Sequence, residues 1–272
     1  MPELPEVETT RRGIQAHIIG PVITEVRVNN PYLRWPVPTE TLTLLLPGQK
    51  ILSVCRRGKY LLLDCGNGHL ILHLGMSGSL RVLKQSVAPE KHEHVEILFN
   101  NGKVLRLRDP RRFGAALWTD HPPDRHALLA TLGPEPLGDD FDGEYLFQQT
   151  RKRRCSIKNH IMDAHVVVGV GNIYASESLF HAGIRPAKAA SRLTRKSCYE
   201  LVLAIKKVLT QAISAGGTTL RDFTDSNGQA GYFSQRLYVY GRDGENCLQC
   251  AGIIKRKLIG QRSSFYCPYC QK

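Results

Sequence analysis

Nowhere does this 272-residue chain hold the run of about eighteen apolar residues that a membrane-spanning helix requires. Its opening residues also lack an apolar run. Glu3, Glu6, Glu8, Arg11 and Arg12 all fall there, which excludes a secretory signal of the usual form. The expectation is a soluble, cytoplasmic protein with no membrane partner. Acid is in short supply as well. Lys and Arg number 37 against 24 Asp and Glu, for a formal net charge of +13. An excess of that size and sign favours a polyanionic partner, nucleic acid first. No internal repeat is present, which excludes a solenoid. The 42% hydrophobic content excludes a disordered chain and can fill a core, most naturally in two domains.

Cysteine is not scarce, but its distribution excludes a disulfide scaffold. Four of the eight are scattered at positions 55, 65, 155 and 198, and these read as ordinary buried thiols. The others form a quartet, Cys247-x2-Cys250 and Cys267-x2-Cys270, separated by sixteen residues. Two such pairs supply four thiolates in tetrahedral reach and leave no open position for water, so one structural Zn2+ is expected. Between the pairs, GIIKRKLIG and SSFYC read as the arms of a β-hairpin with Gln261 and Arg262 near its tip.

The N-terminal half reads as one helix followed by strands. Pro5 suits the first helical position, and the surrounding acids suit the positive end of the helix, which should run from about Glu6 to His17. VITEVRV alternates. KILSVCRRGKYLLLDCGNGHLILHL reads as two strands turning at Gly66-Asn67-Gly68, EHVEILFNNGKVLRLR as a hairpin turning at Asn101-Gly102, and ALWT as one more strand. Six to eight short strands of this kind predict an antiparallel sandwich or barrel over residues 1–131. Alternation stops in LGPEPLGDDFDG, residues 132–143, which reads as a linker. Helical spacing follows in GEYLFQQTRKRRCSIKNHIMDAHVV, NIYASESLFHAG and TRKSCYELVLAIKKVLTQAISAGG. In the last, Leu201, Ala204, Ile205, Val208 and Leu209 share one face and Gly216-Gly217 ends the helix. Residues 144–240 are therefore expected as a helical domain and 241–272 as the metal hairpin, with a polar, glycine-rich loop over 218–232. The whole is an α+β chain.

Several short stretches carry chemistry. TRKRRCSIK sets Arg151, Lys152, Arg153, Arg154 and Lys158 close together without an acid, which suits a solvated face and a phosphate contact equally. It leads into VVVGVGNIYASES, where Gly169 and Gly171 bracket a turn before a helix starting near Asn172. A basic helix, that turn and a second helix look like a helix-two-turns-helix grip on a DNA backbone. LHLGMSGSL and DPRRFGA put Met76, Arg111 and Phe113 at glycine-flanked bends. There they can enter a base stack, although spacing alone fits Met76 and Phe113 as core residues slightly better. Lys59, in CRRGKYLLL, lies on a strand beside an apolar run and gains meaning only in company.

MPELPEVET, RRGKYLLL, LHLGMSGSL, DPRRFGA, LGPEPL, VVGVGNIYASE and the four-cysteine hairpin with QRSSFYC together resemble bacterial formamidopyrimidine-DNA glycosylases, in order and over essentially the whole chain. The resemblance implies a bifunctional glycosylase and AP lyase that removes oxidised purines from double-stranded DNA as a monomer in the bacterial cytoplasm. It implies that Met1 is removed and that the amine of Pro2 is the nucleophile, with Glu3 as catalytic acid, Lys59 as proton donor for β-elimination and Arg262 tied to phosphate binding and δ-elimination. Glu6 would lie near the extruded base. Met76, Arg111 and Phe113 would fill the gap it leaves, with Arg111 facing the orphaned cytosine. His73, His92, Asn172, Lys158 and Arg153, or a basic neighbour of Arg153, would contact DNA, and the loop over Thr218–Tyr232 would close over the base. The sister endonuclease VIII family, acting on oxidised pyrimidines, also opens with Pro-Glu. A non-catalytic zinc-ribbon DNA binder is the reading from a different class.

Overall fold

The computed structural model describes residues 2–84, 87–216 and 237–272, so the predicted loop over 218–232 and Gly217 lie outside the described residues. The chain divides into two compact units, residues 1–130 with 216–234 and residues 131–215 with 235–272. Among the described residues no helix is long and apolar enough to cross a membrane.

The first unit opens with helix α1 (Leu4–Ile18), two residues earlier than the apolar spacing predicts. Glu3 is the N-cap, so Pro5 takes the second helical position, where its missing N–H is still one of the unpaired donors. Among the described residues eight strands follow: β1 (Ile23–Val28), β2 (Ser53–Arg57), β3 (Tyr60–Asp64), β4 (His69–His73), β5 (Ser79–Leu83), β6 (Glu93–Phe99), β7 (Val104–Arg108) and β8 (Ala115–Thr119). They form two antiparallel four-stranded sheets, ordered β1-β6-β7-β5 and β2-β3-β4-β8. One core fills both: Val7, Ile14 and Ile18 of α1 pack with Leu61, Leu63, Leu70 and Leu72 of one sheet and Val95, Ile97, Leu105 and Leu107 of the other. The predicted sandwich is present.

Its details differ from the expectation in three places. The stretch 50–74 makes three strands, because Arg57-Gly58-Lys59-Tyr60 is itself a tight hairpin with Gly58 at φ 57°. Lys59 therefore sits in a turn and not on a strand. β5 and a short helix α2 (Thr39–Leu45) were not foreseen, since neither has a periodic run long enough to register.

The second unit holds α3 (Gly143–Thr150), α4 (Ile157–Ile161), α5 (Asn172–His181), α6 (Arg195–Ser214) and a hairpin of β9 (Lys255–Ile259) and β10 (Arg262–Tyr266). The predicted face of α6 is buried throughout. The basic run is not helical as expected. Arg151 leaves the helix with extended backbone, Lys152 turns left-handed at φ 60°, and Ser156 caps α4 by accepting the Asn159 N–H, so residues 151–156 connect two short helices. Within residues 132–143, the Gly133 N–H donates to Ala164 O and Phe141 is fully buried. Of the four scattered cysteines, Cys65 and Cys198 are buried as expected, but Cys55 and Cys155 are exposed. Burial pushes the Cys65 thiol up to about 12.

Candidate active site and nucleic-acid interface

In the first unit the start of α1 is a buried corner. Pro2 is buried, Glu3 is 1% exposed, and the Glu3 N–H donates to Glu6 Oε2 at 2.8 Å. Glu6 thus caps the helix with its carboxylate, a local role that the sequence spacing of three residues permits. One turn on, Glu8 accepts from Arg11, Arg12 and Arg56 at 2.8–3.2 Å. Burial pushes the Glu8 carboxyl up, but hydrogen bonds from Arg11 and Arg12 and the charges of Arg11 and Arg56 outweigh it and hold the group at about 2. Arg56 also donates to Gly58 O at 2.9 Å, so the turn carrying Lys59 is braced from α1.

His73 lies across from Tyr60 at the end of β4, with ring centroids 4.8 Å apart. Burial first, then the positive charges of Lys59 and Arg34, lower its pKa to about 4. The ring is neutral at pH 7, and because Nδ1 accepts the Gly75 N–H at 3.0 Å, the hydrogen-bond network assigns the ring proton to Nε2. His92, at φ 75°, is lowered too, by partial desolvation and by the charges of Lys91, Arg108 and Arg112.

The bends carrying Met76, Arg111 and Phe113 come together. A Cβ on Gly75, itself at φ 62°, would lie 2.4 Å from the Phe113 carbonyl carbon, so the two turns touch backbone to backbone. Met76 is 37% and Phe113 43% exposed, against the core placement that spacing alone favours, and the Arg111 guanidinium lies 4.9 Å from the Phe113 ring centroid. An apolar and a cationic side chain standing exposed on one pair of touching tips is the form of a wedge. Arg34, whose N–H donates to Gly114 O at 3.1 Å, joins this group, and no motif pointed to it.

In the second unit, three motifs read separately meet. Lys158 is fully buried, and its Nζ donates to Asn172 Oδ1 at 2.6 Å, Ser264 Oγ at 2.6 Å and Ser263 O at 3.2 Å. Asn172, first residue of α5, also donates to Ser263 O at 3.2 Å. The residue before Ser263 is Arg262, exposed at the start of β10 and following the Gly260-Gln261 turn. Lys158, Asn172 and the Arg262 hairpin thus share one locus, in which the buried ammonium and the Asn172 amide tie the start of α5 to the hairpin. Arg153 is exposed in the connecting segment, whereas its neighbour Arg151 is turned inward onto Phe147 and Leu193 O. Sequence reasoning missed Glu177, whose buried carboxylate accepts the N–H groups of Tyr238, Val239 and Tyr240 at 2.8–3.0 Å. Nothing short of the fold signals a carboxylate paired with backbone some sixty residues later.

The four predicted metal ligands converge. All four Sγ atoms of Cys247, Cys250, Cys267 and Cys270 lie within 4.8 Å of one another, with Cys250–Cys267 at 3.4 Å and Cys247–Cys270 at 3.9 Å. Sulfurs about 2.3 Å from a tetrahedral ion stand roughly 3.8 Å apart, whereas a disulfide needs about 2.0 Å. Desolvation and the neighbouring sulfurs push the Cys270 thiol far up, and four sulfur atoms this close together could hold a metal ion. The module packs through Cys247, Ile254, Phe265 and Cys267 onto Phe180 of α5.

The comparisons agree with this architecture. Residues 1–116 match the formamidopyrimidine-DNA glycosylase N-terminal domain and residues 132–224 the formamidopyrimidine-DNA glycosylase H2TH domain. A formamidopyrimidine-DNA glycosylase of Thioalkalivibrio sulfidiphilus is 58% identical over 272 residues and one of Escherichia coli O6:H1 is 56% identical, each covering 100% of both chains. Among solved structures, Lactococcus lactis Fpg in complex with DNA containing an abasic site superposes with a TM-score of 0.90 at 34% identity over 100% of both chains. MutM (Fpg) of Thermus thermophilus gives 0.88 at 36% identity, covering 99% of this chain and 98% of its own.

Proposed function

The chain belongs to the formamidopyrimidine-DNA glycosylase family, and from that premise we propose that it excises oxidised purines, such as 8-oxoguanine and formamidopyrimidines, from duplex DNA and then cleaves the abasic strand. The observation that carries this reading is the buried Pro2-Glu3 start of α1, capped by Glu6. Once Met1 is removed, Pro2 presents a secondary amine. A terminal amine titrates near 8, against about 10.4 for lysine. A useful fraction is therefore free base at neutral pH.

The amine's lone pair attacks C1′ of the extruded nucleoside. The C1′–N bond breaks with its electron pair going to the base, and Glu3 assists proton transfer and opening of the sugar ring. Because the amine is secondary, the product is a charged iminium. That cation acidifies the C2′ proton, whose removal expels the 3′ phosphate. A second elimination expels the 5′ phosphate, and water then releases Pro2. Lys59 serves as proton donor in the first elimination and Arg262 holds the phosphate in the second. His73, as a neutral Nε2–H donor, and His92, Arg153, Lys158 and Asn172 hold the backbone. Zn2+ on Cys247, Cys250, Cys267 and Cys270 cross-links the hairpin that carries Arg262 and takes no part in the chemistry.

The test is single-turnover excision by the monomeric enzyme from duplexes carrying either 8-oxoguanine or an oxidised pyrimidine. Purine release with strand cleavage is expected. Release of the pyrimidine alone would move the chain to an endonuclease VIII-like activity, and duplex affinity without any release would make it a zinc-ribbon binder.

A further inference from the structure

The void-filling role given to Met76, Arg111 and Phe113 leaves open what keeps their two turns in register. Both turns converge on Asp109, which is fully buried. Its Oδ1 accepts the Ser77 hydroxyl at 2.9 Å and the Arg111 N–H at 3.2 Å, and its Oδ2 accepts the Gly114 N–H at 2.7 Å. The three donors are the residue after Met76, Arg111 itself and the residue after Phe113. Its main chain ties in a third segment, donating to His92 O at 2.9 Å and accepting His94 Nε2 at 2.8 Å. A carboxylate that served only to hold the sandwich would bond strands, whereas among the described residues every side-chain hydrogen bond of this one goes to the wedge tips.

Resting on the reading of those tips as the wedge, we propose that Asp109 is a positioning residue that sets discrimination of the base opposite the lesion. It holds the Met76 turn and the Arg111–Phe113 turn in one register, so that the guanidinium meets the orphaned cytosine edge while the apolar side chains fill the gap. A loosened tip still fills a gap, but it no longer aims a hydrogen-bond donor.

Asp109→Asn keeps the volume and one oxygen, and turns an N–H2 toward either the Ser77 and Arg111 donors or the Gly114 donor. Ser77→Ala removes a single arm. The measurement is the ratio of single-turnover excision rates for 8-oxoguanine opposite C and opposite A, with thermal melts recorded for each variant. The expected result is a wild-type preference for C that falls by about tenfold or more in Asp109→Asn, as the loss of hydrogen bonds to a charged group implies, and by less in Ser77→Ala. A merely structural role slows both substrates by the same factor and leaves the ratio alone. Folded variants with the wild-type ratio overturn the proposal, and should Asp109→Asn not fold, Ser77→Ala decides on the same criterion. Wild-type enzyme that releases no base, or shows no preference between C and A, would instead sink the functional reading beneath it.

Discussion

At the residue scale, the site is built by groups that change the protonation of their neighbours. His73 is squeezed between burial and the charges of Lys59 and Arg34, so its ring nitrogens should titrate by NMR with a midpoint near pH 4 and carry their single proton on Nε2 above it. A midpoint near 6.5 would contradict that environment. Since the pKa is lowered in the folded state, the unfolded chain binds the proton more readily, and this stabilising contribution is lost as pH falls from 6.5 towards 4. Glu8 acts over a lower window. Its carboxylate contribution is whole above the ordinary 4.5 and disappears as pH falls towards about 2. Glu8→Gln should therefore lower the melting temperature at pH 7 and by a smaller margin at pH 3. An equal loss at both would show that packing, and not charge, holds the Arg11, Arg12 and Arg56 cluster.

At the scale of elements, the two touching turns predict that Gly75→Ala destabilises the first unit. The left-handed backbone alone costs about 1–3 kcal/mol, before the collision with Phe113 is relieved, and a denaturant melt should show a lower midpoint. In the second unit, Lys158→Met should weaken duplex binding about tenfold, because it removes the buried ammonium that ties Asn172 at the start of α5 to Ser263 and Ser264 beside Arg262. Unchanged affinity would remove Lys158 from the interface. These elements were legible to different degrees. The face of α6, the Asn101-Gly102 hairpin and the cysteine pairs announce themselves, since each is set by spacing within a few residues. The Gly58-Lys59 turn lacks the Asn-Gly or paired glycines that mark the other hairpins of the first unit, and the basic segment imitated a helix until Lys152 broke it. Contacts that join distant segments, such as Asp109 to Ser77 or Glu177 to Tyr238, have no local pattern.

At the scale of the molecule, a formal charge of +13 lets phosphate contacts offset the few kcal/mol that base extrusion costs. The metal hairpin is too short to fold on its own apolar area, so binding of the ion, about 10–16 kcal/mol in comparable peptides, should be its main folding term. Chelation is expected to abolish duplex binding while the sandwich keeps its β-type far-UV circular dichroism. Simultaneous loss of both would mean that the sandwich depends on the metal. The proposed nucleophile is the nitrogen of Pro2, attacking C1′ once Met1 has been removed. Borohydride reduction during turnover, followed by peptide mass spectrometry, tests it most directly. An abasic-sugar adduct is expected on an N-terminal peptide that starts at Pro2. An adduct on Lys59, or full activity with Met1 still attached, would contradict it.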